Sequence, residues 1–337
     1  MKKLGRRMFI NRAGVLAAGL WFDRHPRPYG ETMAQKKEQE TYPSYLRLFR
    51  DGRLEERSQK FREMYRNCSL CPRDCRVDRT GKERGKCEAG AEARVSSAFP
   101  HFGEEAPLVG TEGSGTVFFA HCGLRCVYCQ NHEISFGGSG SDVSDRRLAE
   151  SFIKVQEFGC HNINLVTPTH FLPSIVEAVR LAVPMGLNVP LVYNTGGYEK
   201  PDIIRLLDGI VDIYLPDFKY MDPAHAAEYS SEAYNYPHYA RLALKEMARQ
   251  VGVLQMAARR VARRGLMIRH LVLPNNMSDS DRVFQFIADE LSPDHYVNVM
   301  RQYRPEHRAG EFPRINRQLS PQEYSRALKW AKDAGLR

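Results

Sequence analysis

TVFFAHCGLRCVYCQNHE, residues 116–133, runs a short apolar, β-rich segment, Thr116 to Ala120, into a loop carrying Cys122, Cys126 and Cys129 at C-x-x-x-C-x-x-C spacing. Three thiolates from one short loop are too few to saturate a tetrahedral zinc. They are enough to hold a cubane iron-sulfur cluster and leave one iron open for chemistry. Gly123 allows the close turn that such a loop needs.

Outward from this stretch the chain alternates. β-rich runs follow at Asn162 to Val166, Leu191 to Tyr193, Val211 to Leu215, Leu266 to Leu273 and Val297 to Met300. Helix-like segments lie between most of them, at Asp145 to Phe158, Leu172 to Pro184, Asp202 to Leu207, Tyr239 to Arg264 and Asp279 to Leu291. This order predicts right-handed βαβ units on a parallel sheet. Six strands make an α/β fold, a partial (β/α)6 TIM-like barrel over residues 116–305, whose site assembles at the carboxyl ends of the strands. Polar residues fall there strand after strand: Thr167, Thr169 and His170, then Asn194, then Asp217 and Lys219, then Arg269 and His270. Asp217 and Lys219, two apart, share a side, whereas only one of the neighbours Arg269 and His270 can face a site from a regular strand.

Ahead of the barrel, residues 41–115 join a helical stretch, Tyr45 to Tyr65, to a second thiol group, Cys68, Cys71, Cys75 and Cys87. Four thiols close a coordination sphere, so this segment reads as a structural zinc or iron-sulfur knuckle, or as an auxiliary cluster carrying electrons, with inert or redox-paired thiols as the alternative. Seven of eight cysteines fall into two groups, which favours metal ligation over a disulfide scaffold; Cys160 reads as a core thiol. Residues 1–40 place Arg6 and Arg7 before an apolar run from Ala13 to Phe22, with a small-residue cleavage site at Thr32-Met33-Ala34, and resemble a twin-arginine export signal. Arg12 intrudes near that run, so a cytoplasmic location and export both stay open. Residues 306–337 form a C-terminal extension with a helix.

No apolar stretch approaches the roughly 20 residues of a membrane span. The formal charge of +9 is spread thinly, and its densest group, Arg259, Arg260, Arg263 and Arg264, is expected at a helix end, where cations suit the dipole. This reads as a solvated face rather than a nucleic-acid patch, and it suits an anionic protein partner or electron donor.

The cysteine spacing, with the aromatic Tyr128 directly before the third cysteine, resembles the signature of radical S-adenosylmethionine (radical SAM) enzymes. The resemblance implies a [4Fe-4S] cluster on Cys122, Cys126 and Cys129 whose open iron chelates S-adenosylmethionine. An electron from reduced flavodoxin or ferredoxin would then cleave the sulfonium to a 5'-deoxyadenosyl radical. The strand-end stretches are similar to the pyruvate formate-lyase activating enzyme branch, and more closely to its relatives with an N-terminal four-cysteine segment. On this resemblance Tyr128 lies near the adenine, and Thr167 and Thr169 take the place of a Gly-Gly-Glu stretch that supports the amino group. Asn194 stands where the branch has a cofactor-contacting Asp, Lys219 pairs with the carboxylate, and Asp217 accepts from the ammonium or fixes the lysine. Arg269 offers a bidentate carboxylate site, while Gln302 and Tyr303 face substrate. The implied reaction is hydrogen abstraction, including installation of a glycyl radical on a protein substrate. The alternatives are a peptide or small-molecule substrate, or a non-catalytic iron-sulfur or zinc electron-transfer protein with His121 or His132 as fourth ligand.

Overall fold

The computed structural model describes residues 42–257 and 260–336, and the twin-arginine-like segment lies outside them. Helices α1 (Tyr45–Arg50) and α2 (Arg53–Glu63) come first. The helical stretch expected over 45–65 breaks between them, because Gly52 turns the chain at φ 74°, which glycine adopts without strain. There follow β1 (Ala93–His101), α3 (Ala106–Val109), β2 (Ser114–Phe119), α4 (His132–Ser135), β3 (Ser141–Val143), α5 (Asp145–Glu157), β4 (Ile163–Val166), α6 (Leu172–Ala182) and β5 (Leu191–Thr195). The chain continues through α7 (Pro201–Leu206), β6 (Ile213–Pro216), α8 (Pro223–Tyr229), α9 (Tyr236–Val251), β7 (Gln255–Met256), β8 (Ala262–Leu271), α10 (Ser280–Glu290), β9 (Tyr296–Met300) and α11 (Pro321–Asp333).

The six expected strands are β2, β4, β5, β6, β8 and β9, and they pair in parallel in that order. Their central members are buried on both faces, which is why INLV, LVYNT and IYLP read as near-continuous apolar runs. Among the described residues β9 pairs only with β8, while β2 continues antiparallel into β1 and then β3, so the fold is a partial (β/α)6 barrel open between its first and last strands.

The segment between β1 and β2 fills the barrel's lower interior. Leu108 on α3 packs against Val192, Ile213, Leu215 and Met267 from the barrel strands, and Asn162 Nδ2 donates to Leu108 O at 2.9 Å. Outside the barrel, α6 packs between α2 and α5 and is buried along most of its length. The N-terminal segment is pinned where Ser44 Oγ donates to the buried Asp212 Oδ1 at 2.6 Å and Tyr45 Oη to Val189 O at 2.8 Å.

The helix expected over 239–264 ends at Val251. Gly252, at φ 66°, turns the chain and its N–H caps Ala248 O at 2.8 Å. Gly265 then lies so close to Leu254 that a Cβ would fall 2.5 Å from the leucine Cα, an approach that lets β7 pair with β8 as a ribbon. Arg263 and Arg264 therefore lie in a strand, not at a helix end: Arg263 stacks 4.3 Å over Tyr42, and Arg264 donates to Gln250 O at 2.6 Å. Arg259 lies outside the described residues.

Candidate active site

The cysteine loop follows β2 and is held in an unusual backbone path, with His121 at φ 70° and Arg125 at φ 49°. Two neighbours fix it: Val127 N donates to Tyr229 O at 2.9 Å, and Arg308 N from the C-terminal extension donates to Val127 O at 2.8 Å. Cys122, Cys126 and Cys129 line a cavity of about 410 Å³ at the carboxyl ends of the strands. Cys126 Sγ lies 3.0 Å from Ser230 Oγ, and Cys129 Sγ 3.5 Å from Ser135 Oγ. Burial pushes all three thiols' pKa up. Three thiolates can coexist in such a place only against a multivalent cation, so the donor set fits an iron-sulfur cluster.

Tyr128, Thr167, Asn194, Asp217, Lys219 and Arg269 line the same cavity, as does Gln302. Lys219 Nζ donates to Asp217 Oδ2 at 2.6 Å. Burial disfavours the ammonium, but Asp217 and Cys126 outweigh it and hold the lysine pKa well above its usual value. Tyr128 Oη lies 2.5 Å from Tyr220 Oη, which lies 3.0 Å from Ser230 Oγ. A buried hydroxyl chain thus ends on Cys126 Sγ.

Arg269 departs from its expected place as an open carboxylate fork. Its Nε and one terminal nitrogen each donate to Glu105 at 2.6 Å, the second bond of that terminal nitrogen goes to Glu104, and the other nitrogen reaches Asn194 Oδ1 at 3.3 Å. The bidentate carboxylate is the protein's own, delivered by the segment that fills the barrel. Burial pushes Glu105 up, but Arg269 and Asn298 more than offset this and keep it below the usual range. Thr169 also turns away: its hydroxyl donates to Glu199 Oε1 at 2.6 Å, and it lines a separate void of about 30 Å³. Tyr303 is buried, donating to Ile315 O at 2.7 Å, and does not face the cavity. Neither His121 nor His132 lines it, so neither is placed as a fourth ligand there.

His170 and His270 are core residues. His170 Nε2 meets Ala120 O at 2.8 Å, and His270 bridges Phe218 O and Ser280 Oγ; burial lowers their pKa values to about 3 and about 4. Cys160 is buried. Glu199 escaped the sequence reading. It is fully buried, accepts from Thr169, Thr195 and Tyr193, and burial raises its pKa to about 7. Its one signal was its place in the Asn194 to Glu199 stretch at the end of β5. Ser230 and Glu104–Glu105 carried no such signal.

Of the four N-terminal thiols, Cys68, Cys71, Cys75 and Cys87, Cys71 packs on the cysteine loop, 3.7 Å from a methyl group placed on Gly123, and Cys68 and Cys87 lie close enough to act on its charge. Arg79, 1% exposed, donates to Ala89 O, Gly90 O and Cys68 Sγ, and stacks 4.6 Å over Tyr65. Burial raises the pKa of Cys71 and Cys87.

The chain belongs to the Radical SAM superfamily, whose family profile matches residues 116–287. An uncharacterised protein of Methanocaldococcus jannaschii is 32% identical over 284 residues, which cover 82% of this chain and 77% of that protein. Members of the superfamily are enzymes that use a [4Fe-4S] cluster and S-adenosylmethionine and draw on a reductant such as flavodoxin or ferredoxin. Among the described residues no helix is long and apolar enough to cross a membrane.

Proposed function

We propose that Cys122, Cys126 and Cys129 hold the catalytic [4Fe-4S] cluster and that the wall opposite binds S-adenosylmethionine for hydrogen abstraction from a protein substrate, as in glycyl-radical activating enzymes. The observation that carries this reading is the convergence of the three thiols and the Asp217–Lys219 pair on one cavity. When bound, the cluster and S-adenosylmethionine supply reductive cleavage to a 5'-deoxyadenosyl radical.

The chain's own residues bind and orient. Lys219 is a buried cation whose partner Asp217 can turn to an ammonium, so the pair matches the amino and carboxylate groups of an amino acid. Thr167 and Asn194 add neutral polar contacts from neighbouring strands, and Tyr128 gives an aromatic wall for the adenine. Arg269, saturated by Glu104 and Glu105, fixes Asn194 rather than gripping the ligand. Thr169 acts from behind, through Glu199. The four N-terminal thiols hold a second metal.

The test is anaerobic reconstitution with iron and sulfide, reduction by dithionite and chromatography for 5'-deoxyadenosine. Wild-type protein should form it from added S-adenosylmethionine, and a Cys126→Ala variant should form none while keeping its secondary structure. A loaded, reducible cluster that neither binds nor cleaves S-adenosylmethionine would overturn the reading.

A further inference from the structure

We propose that Cys68, Cys71, Cys75 and Cys87 hold a redox-active iron-sulfur cluster that passes electrons inward to the cysteine loop, rather than a structural zinc. The inference rests on the reading that the loop holds the catalytic cluster, and it concerns how that site is reduced.

Three observations carry it. The first is contact. Cys71 and Cys122 line the same void of about 30 Å³, and a methyl group placed on Gly123 would sit 3.7 Å from Cys71 Sγ. Arg73, two residues after Cys71, donates to Gly123 O at 2.9 Å and to Ser230 O at 3.0 Å, and Ser230 Oγ is the group beside Cys126 Sγ. A ligand of one group thus packs on the glycine that directly follows a ligand of the other, and the arginine ties the two segments together. A zinc knuckle that only stabilised the N-terminal segment would need no such seam.

The second is spacing. Thiolates around zinc at 2.3 Å form a tetrahedron with edges of roughly 3.8 Å. Among the described residues, the set of three or more metal-ligating atoms within 4.8 Å of one another is Asp222, His225 and Asp279. No three of the four thiols are therefore that close, and the same holds for Cys122, Cys126 and Cys129. Neither group is drawn as tightly together as a zinc tetrahedron, and the inner one is the group read as a four-iron site. The Asp222–His225–Asp279 set has its own explanation: Asp279 accepts from His225 and from the N–H groups of Met221 and Asp222.

The third is charge. A guanidinium as deeply buried as that of Arg79 needs an anion, and its anion-capable partner is Cys68 Sγ. A metal-loaded thiolate site provides that charge, whether zinc or iron-sulfur, so Arg79 supports loading of the four thiols while contact and spacing distinguish the cluster from zinc. Each group has two partly exposed thiols, Cys71 and Cys75 in the outer and Cys122 and Cys129 in the inner, but the inner thiols face the cavity that S-adenosylmethionine would fill, which leaves the outer pair as the entry for an external donor. One electron leaves a low-potential protein donor such as reduced flavodoxin, resides on the outer cluster and moves inward, with no bond made or broken.

The test is metal analysis and electron paramagnetic resonance on the full chain after anaerobic reconstitution. Wild-type protein should carry about eight irons and no zinc, and a Cys122→Ala/Cys126→Ala/Cys129→Ala variant about four, still reducible by dithionite. The reduced wild-type spectrum should show splitting or broadening from coupled spins, which the triple variant loses. About four irons plus one zinc in the wild type would overturn the proposal, as would two clusters whose signals simply add. Should the triple variant not fold, the wild-type metal content and spin coupling decide alone. Failure to cleave S-adenosylmethionine would sink the functional reading without touching these readouts.

Discussion

The two cysteine groups use the same donor atom and differ in how the chain closes around it. The inner group is three thiols at the end of a barrel strand, facing about 410 Å³ of space walled by Asp217, Lys219 and Asn194. The outer group is four thiols on a segment without strands, knit by turns and by the buried Arg79. A missing ligand is useful only where the fold keeps room and counter-charges for what replaces it. The inner group has both, and the outer group has its full set of four thiols.

The sharpest way to break this contrast is Lys219→Ala. Removing a charged hydrogen-bond partner of a bound carboxylate costs about 1.5–3 kcal/mol, so the KM for S-adenosylmethionine should rise roughly 10- to 100-fold. Iron content should be unchanged, because Lys219 binds no metal in either group. An unaltered KM would mean that the Asp217–Lys219 pair is an ordinary buried ion pair and that the inner cavity takes its ligand elsewhere.

The barrel was legible because its strands are apolar, short and separated by helical spacing, and the inner cysteines because their spacing is local. What escaped depends on contacts distant in sequence. β1 reads weakly because its residues are mostly half-buried, and α3 is one turn whose role inside the barrel comes from Leu108 meeting strands more than 80 residues away. Arg269 was placed on the right strand with the wrong partner, since Glu104 and Glu105 lie 165 and 164 positions before it. Polar residues on strand ends can be found by periodicity, but which carboxylate reaches them cannot.

Glu199 tests the seam between the groups. Its pKa rises from 4.5 to about 7 on burial, so the folded state holds its proton more tightly than the unfolded chain. The stabilisation is complete below pH 4.5 and is lost as pH rises through about 7. At about 1.4 kcal/mol per unit, wild-type protein should lose up to about 3 kcal/mol relative to Glu199→Gln between pH 4.5 and 8. Urea midpoints of both proteins at the two pH values measure this directly. Parallel pH profiles would show that the carboxyl is already ionised in the fold, stabilised by Thr169, Thr195 and Tyr193.

The smallest expected effect separates the groups most finely. Cys126 Sγ has a neutral hydrogen-bond neighbour, Ser230 Oγ at 3.0 Å, backed by Tyr220 and Tyr128, and feels the Lys219 charge only through space, whereas Cys68 Sγ is approached directly by a cation, Arg79. Hydrogen bonds to cluster sulfurs stabilise the reduced, more negative state and raise the potential. Ser230→Ala removes one such bond, a loss of about 1 kcal/mol, and should lower the inner midpoint potential on the order of 40 mV. The outer midpoint should stay put, because Ser230 touches the outer group only through its carbonyl bond to Arg73, which alanine retains. A redox titration that resolves two signals reads both at once. A shift in both would mean that the seam transmits structure as well as electrons, and a shift in neither would remove Ser230 from the tuning of Cys126.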